Sequence, residues 1–254
     1  MNLLLPDWPA PPNVRAVVST RVGGVSTGAY ASLNLGAHVG DAPAAVAENR
    51  RRFAEAAGLP LAPHWLNQVH GCDVVRAQNG AGASADACWT DQPGLPCAIL
   101  TADCLPVLFA SRDGRCVAAA HAGWRGLAAG VLEATLAAMP CQPAELMAWL
   151  GPAIGPAAFQ VGSEVRAAFV EQAADDAEAF RPDGSRWRAD LFALARARLR
   201  RAGVASVYGG GVCTVDDTAQ FFSHRRDGIS GRFASLIFRV ENSCGSVPQH
   251  NRRV

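Results

Sequence analysis

Two periods of apolar side chains alternate along this sequence. Short runs rich in valine, isoleucine and leucine recur at Arg15–Ser19, Asp73–Ala77, Cys97–Ala102, Leu105–Ala110, Arg115–Ala120, Leu146–Leu150, Val204–Tyr208 and Phe233–Arg239. Runs of this length, bounded by turn residues, predict strands. Between them lie alanine-rich stretches with the three-to-four-residue period of a helix that buries one face. Asp41 predicts the cap of a helix running to Gly58, with Pro43 in its first turn. A second helix is expected over Gly126–Met139, stopped by Pro140, and a third from a cap at Ser163 to about Phe180. The fourth starts from Asp190 and ends at Gly203. Helices and strands mix throughout, so the expectation is an α/β fold in a single domain spanning residues 1–254. The tail from about 241, ENSCGSVPQHNRRV, reads as loosely ordered.

Composition narrows the chemistry. The 23 basic residues are all arginine. Without lysine there is no Schiff-base cofactor, no phosphate loop ending in GK[ST] and no lysine general base. A net charge of +1 argues against a dedicated nucleic-acid or membrane-surface binder. The longest apolar candidate, Cys97 to Ala110, is interrupted by Asp103 and Pro106, and the start MNLLLPDWPAPP has no basic region. These features predict a soluble, cytoplasmic protein. The 8 cysteines contain no CxxC pair, which excludes zinc ribbons and thioredoxin-like motifs. The glycine-rich stretches Arg21–Gly28 and Gly209–Gly211 fit tight turns better than a dinucleotide fingerprint.

Histidines point further. His38, His64 and His250 lie in ordinary contexts. His70 in WLNQVHG, His121 in AAAHAGWRG and His224 in FFSHRRDG each end an apolar segment and precede a glycine. Active-site loops leave a sheet at such places. In TADCLPVLFASRDGRCVAAAHAGWRG two apolar strands flank the turn Ser111–Gly114. A hairpin centred between Arg112 and Asp113 sets Ala110 opposite Arg115, Phe109 opposite Cys116 and Cys104 opposite His121; a glycine bulge at Gly114 shifts this by one. A thiol and an imidazole then meet at the open end. That pair is either an activated cysteine nucleophile or, with His70, a three-ligand metal site whose fourth position is open. The intervals between the three match no short zinc spacing. After His121, GWRG leads into a predicted helix, so Arg125 and the helix start form a candidate anion site.

NQVHG, TADCLPVL and HAGWRGLAAGV resemble the signature segments of the bacterial YfiH-type, laccase-domain family. STRVGGVSTGAYASLNLGAHVGD, ENR at Glu48–Arg50, ADACWTDQPG, GPAIGPAAFQVGSEV and FFSHRRDGISGR are similar to it as well. This family, formerly labelled polyphenol oxidase, is described as zinc-dependent purine nucleoside phosphorylases with adenosine deaminase activity. The resemblance implies a single-domain α/β/β/α sandwich with mixed sheets, zinc on His70, Cys104 and His121, and purine nucleosides with inorganic phosphate as substrates. No nucleic-acid, membrane or protein partner is expected. Under it, Arg125, Asn34 and more weakly Arg50 are candidates for holding substrate oxygens. Phe221 or Phe222 is a candidate for stacking on the base, and His224 for protonating or orienting it. Two departures stand out: Gln160 replaces an expected glutamate, and Cys88 an aliphatic residue. Competing readings are a Cys104-dependent amidase, as in peptidoglycan-precursor editing, a copper-dependent phenol oxidase, and a non-enzymatic binding module.

Overall fold

In the computed structural model, which describes residues 1–241, the strands pair into three sheets, and the apolar runs build the two larger ones. In chain order the strands are β1 Leu3–Leu4, β2 Val14–Ser19, β3 Val74–Arg76, β4 Ala87–Thr90, β5 Cys97–Thr101, β6 Leu105–Ser111, β7 Val117–Ala122, β8 Leu146–Leu150, β9 Gln160–Val161, β10 Phe180–Asp183, β11 Arg186–Ala189, β12 Ser206–Gly209 and β13 Phe233–Arg239. The helices are α1 Pro43–Ala56, α2 Trp124–Ala129, α3 Val131–Ala138, α4 Ser163–Val170, α5 Leu191–Arg201 and α6 His224–Asp227. A mixed six-stranded sheet runs β12-β8-β6-β7-β4-β3, an antiparallel four-stranded sheet runs β1-β2-β13-β5, and β10-β11-β9 form a small third sheet. Apart from Glu241, the tail expected to be loosely ordered lies outside the described residues.

Strand alternation assigns the faces. Leu105, Val107 and Phe109 pack with Leu127 of α2, Leu132 and Leu136 of α3, and Leu194 and Leu199 of α5. Leu108 and Ala110 face the opposite way with Val117 and Ala119, against Val18, Ile99, Phe233 and Ile237 of the four-stranded sheet. The far side of that sheet, Val17, Leu100, Leu236 and Phe238, is covered by Phe53 of α1 together with Leu33 and Leu35. Helix, sheet, sheet and helix therefore stack as the expected α/β/β/α sandwich. β6 and β7 are buried at every position and read as continuous apolar runs because both faces are covered. No helix among the described residues is long and apolar enough to cross a membrane.

Several boundaries differ from the expectation. The hairpin pairs Leu105 with Ala122 and Ala110 with Val117, two residues beyond the expected register. Its connection is longer because the Ser111 N–H donates to the Cys116 carbonyl and Gly114 turns at φ +70. Cys104 thus comes opposite Gly123, not His121. The expected helix over Gly126–Met139 starts at Trp124 and breaks in two at Gly130, which adopts a left-handed φ of +97. Asp41 does not cap α1; its carboxylate accepts from Ser26 and Asn34 instead. Ser163 is the first helical residue rather than a cap, and α4 stops at Val170. Asp190 does cap α5, accepting from the Ala193 N–H at 2.9 Å.

Candidate functional site

His121 is the one polar side chain in β7, and it is buried. A buried imidazole needs a partner. Asp86, immediately before β4, supplies it: β4 pairs with β7, and His121 Nδ1–H donates to Asp86 Oδ1 at 2.7 Å. The same carboxylate, itself fully buried, accepts the backbone N–H groups of Val69, His70 and Gly71 at 3.1, 2.9 and 2.7 Å. That clamp holds His70 at φ +62, a left-handed conformation for a residue with a side chain. One acid therefore places both imidazoles, whose ring centroids are 4.7 Å apart.

Cys104 completes the group. Because side chains repeat every two residues along a strand, a register shift of two keeps Cys104 on the His121 face, now as a diagonal neighbour. Its Sγ is 3.9 Å from His70 Nε2, and the ligand atoms of His70, Cys104 and His121 all lie within 4.8 Å of one another. The residue opposite the thiol is Gly123, where a Cβ would stand 2.9 Å from Cys104 Sγ and 3.1 Å from His70 Cδ2. A glycine there keeps the space between the donors open.

Electrostatics make the thiol and His121 a thiolate–imidazolium pair, so the sulfur is already in its ligand form and His121 would give up one proton to a metal. Burial opposes the Cys104 thiolate, but His121 and then His70 outweigh it and bring the thiol down to about 6. Burial likewise opposes the charged form of His121, and the Cys104 thiolate with Asp86 overcomes it, raising the imidazole to about 9. Burial pushes the Asp86 carboxyl up, while His121 and the Gly71 amide hold it below the usual range. One thiolate, two imidazoles and a carboxylate fixing a ligand's outer nitrogen fit a thiophilic divalent ion with an open position.

Beside this group is a cleft of about 180 Å³ lined by His70, Cys104, Trp124, Arg125, Phe159 and His224, among others. Arg125 is exposed, stacks on Trp124 at 4.5 Å and makes no ion pair among the described residues. His224 is exposed at the start of α6, with Nδ1–H donating to the Gly228 carbonyl.

Other sequence candidates lie elsewhere. Asn34 is fully buried and its amide is engaged by Gly36, Asp41 and the Arg232 N–H, so it braces a loop and is not among the residues lining the cleft. Arg50 donates to the Leu35 carbonyl and stacks on Trp65. Phe221 is buried in the core against Phe233, and Phe222 is buried beneath Arg21; neither ring has a face for a purine. Gln160 donates to the Asp183 carboxylate at 2.7 Å, a bond that an ionised glutamate at this position would replace by repulsion. Cys88 is buried between the sheets, where it serves as a small apolar side chain.

Three residues escaped the sequence reading. Asp86 gave no local signal, since the strand it precedes, β4, is not among the expected ones. Asp103, at φ +85, accepts from Thr214 and Ser223 hydroxyls and the Arg225 N–H. Arg225 lines the cleft and reaches the Ala158 and Gln160 carbonyls.

An α/β/β/α sandwich carrying a His–Cys–His group at the open end of its central hairpin defines a class of metal-competent, enzyme-like folds. Residues 15–240 match the family model described as multi-copper polyphenol oxidoreductase laccase, and the chain belongs to this laccase-domain, YfiH-type family. It is 57% identical to a purine nucleoside phosphorylase of Pseudomonas aeruginosa over 92% of this chain and 97% of that one. It is 52% identical to the purine nucleoside phosphorylase YfiH of Escherichia coli over 94% and 99% of the two chains. Among solved structures, a Neisseria meningitidis protein superposes with a TM-score of 0.92 at 53% identity, covering 95% of this chain and all of the other. YlmD from Geobacillus stearothermophilus superposes with a TM-score of 0.84 at 35% identity, covering 92% and 94%.

Proposed function

We propose that this protein is a zinc-dependent purine nucleoside phosphorylase, cleaving adenosine, inosine and methylthioadenosine with inorganic phosphate to a free base and a ribose 1-phosphate. Adenosine deamination is proposed at the same site. The observation that carries the reading is the meeting of His70, Cys104 and His121 within 4.8 Å beside a cleft lined by Arg125 and His224. The names of the relatives support the reaction class. His70, Cys104 and His121 would hold the zinc, which supplies a Lewis acid with one coordination position open. Asp86 keeps a proton on His121 Nδ1, so Nε2 is the nitrogen that would act as a ligand, its own proton being displaced when the metal binds. Arg125 grips phosphate oxygens with a planar, two-pronged donor. His224, its Nδ1 tied to Gly228, meets the base through Nε2.

The test is metal analysis followed by product analysis of adenosine with and without phosphate. The expected result is one zinc per chain and adenine with ribose 1-phosphate only when phosphate is present. Free ribose as the sole sugar product, at a rate indifferent to phosphate, overturns the reading.

One observation favours a second reading. Cys104, His121 and Asp86 are ordered as a nucleophile, a base and an orienting acid, which supports the Cys104-dependent amidase. That reading leaves His70, 3.9 Å from the sulfur, without a task. Amidase activity in metal-stripped protein, abolished by thiol alkylation, would favour it. Copper also suits a cysteine with two histidines. With 6 histidines in the chain a full multicopper centre lacks ligands, so phenol oxidation would be at most adventitious.

A further inference from the structure

Far from the His–Cys–His group, at the turn end of the central hairpin, two thiols touch. Cys116 Sγ lies 2.8 Å from Cys141 Sγ, with both cysteines reduced. Two thiolates sharing a tetrahedral zinc sit roughly 3.8 Å apart, since each Zn–S bond is about 2.3 Å, so this spacing is too close for a bridging metal. It is the spacing of sulfurs that need only a small approach to bond.

The surroundings fix both partners. Cys116 is buried just before β7; its N–H donates to the Ser111 hydroxyl, and its carbonyl accepts from the Ser111 N–H. Cys141 follows Pro140 at the end of α3 and is half-exposed. The neighbouring Arg115 donates to the Pro140 carbonyl and Glu145 carboxylate, which places its guanidinium beside the Cys141 sulfur. The two thiols therefore differ in reactivity: one is reachable and sits next to a cation, the other is buried and pushed up to about 12, mainly by that burial. Cys88 and Cys97 also neighbour each other, but both are buried between the sheets, out of reach of a soluble oxidant.

We propose that Cys116 and Cys141 are a redox couple that closes to a disulfide by exchange with a low-molecular-weight disulfide, fastening the tip of the β6–β7 hairpin to the end of α3. In the first step the Cys141 thiolate attacks one sulfur of the small disulfide, forming a mixed disulfide and releasing one thiolate. In the second, Cys116 gives up its proton and attacks Cys141 Sγ, releasing the other half as a second thiolate. Two protein thiols are oxidised, one small disulfide is reduced to two thiols, and no other reactant is needed. The bridge closes a loop across 25 positions of the chain, which restricts the unfolded state.

The experiment treats full-length protein with oxidised glutathione, alkylates the remaining thiols and digests with trypsin without reduction. Cleavage after Arg115, Arg125 and Arg166 puts the two cysteines in separate peptides, and Cys104 in a third. The expected result is one cross-linked pair of peptides, about 2 Da lighter than their sum, with no glutathione retained on either cysteine. The thermal midpoint should rise by roughly 5–10 °C and return on adding dithiothreitol. Cys116→Ser should trap glutathione on Cys141. Wild-type protein that keeps glutathione on Cys141, or that yields both thiols alkylated and no cross-link, overturns the couple. A cross-link with no rise in midpoint overturns the fastening role.

Discussion

Replacing Asp86 by asparagine removes one charge and two acceptor positions from the centre of the site. In the native side chain Oδ1 accepts from the His70 N–H and His121 Nδ1–H, and Oδ2 accepts from the Val69 and Gly71 N–H groups. Asparagine keeps one oxygen and presents an NH₂ at the other position. Whichever way the amide is turned, its NH₂ faces two donors. If it faces Oδ1's partners, His121 can answer only by moving its proton to the other nitrogen, the one a metal requires. If it faces Oδ2's partners, two buried backbone N–H groups lose their acceptor. Hydrogen bonds to a charged group contribute about 1.5–3 kcal/mol each, so losing two costs roughly 3–6 kcal/mol. In a protein of this size that corresponds to a fall in melting temperature on the order of 10 °C. Zinc affinity, measured by competition with a chelator, should fall roughly 10–100-fold. Asp86→Asn protein that binds zinc within about twofold of wild type and melts within about 1 °C of it would refute the clamp.

Gly123→Ala tests the space between the donors. The backbone there, φ −63 and ψ 157, suits any residue, so the fold should persist while zinc affinity drops at least tenfold, on the order of 1.4 kcal/mol; unchanged zinc content would contradict it. Arg125→Ala should raise the apparent KM for phosphate with zinc still bound, and Arg125→Lys should restore it only in part, because a point charge replaces a two-pronged donor; steady-state kinetics against phosphate decide this. For metal-free protein, the thermal midpoint should be level from about pH 6 to about pH 9. Cys104, lowered in the folded state, contributes stability above its unfolded value and loses it as pH falls through about 6; His121, raised, contributes below its unfolded value and loses it as pH rises through about 9. A midpoint still climbing beyond pH 9 would contradict the pairing.

The hairpin shows what the sequence can and cannot deliver here. Turn chemistry at Ser111–Gly114 located the reversal, but the loop length, and with it the register, depended on the Ser111–Cys116 hydrogen bonds. The two-residue slip was harmless to the site because parity was kept; a slip of one would have sent Cys104 and His121 to opposite faces. Asp86 was hidden for the opposite reason. Its meaning comes from β4 pairing with β7 and from the loop at Val69–Gly71, contacts that no local pattern announces. β10 and β11 were missed because Phe180–Asp183 and Arg186–Ala189 are short, largely polar and half-exposed, with little apolar period to read. Asn34 and Phe221 misled because residue type names a capability, whereas burial decides whether substrate can reach it.

Asp103 explains why the His–Cys–His group and the cleft form one mechanical unit. It directly precedes Cys104, stands at φ +85, and is nearly buried. A non-glycine residue in that region costs about 1–3 kcal/mol and persists only where its surroundings hold it. Here they do: Oδ1 takes the Thr214 hydroxyl at 2.6 Å, Oδ2 takes the Ser223 hydroxyl at 3.0 Å and the Arg225 N–H at 2.6 Å, and the Asp103 carbonyl accepts from the Ile154 N–H. Ser223 caps the turn of helix that carries His224, so the acid beside the thiol also fixes the imidazole across the cleft. Asp86 does the same for His70 and His121 from the other side. Two carboxylates, Asp86 beneath the group and Asp103 at the wall of the cleft, thus set the positions of the thiol and all three imidazoles. Groups locked by packed, hydrogen-bonded neighbours need little reorganisation when a ligand arrives, and that is the condition a loop-built cleft must meet to hold a fixed geometry.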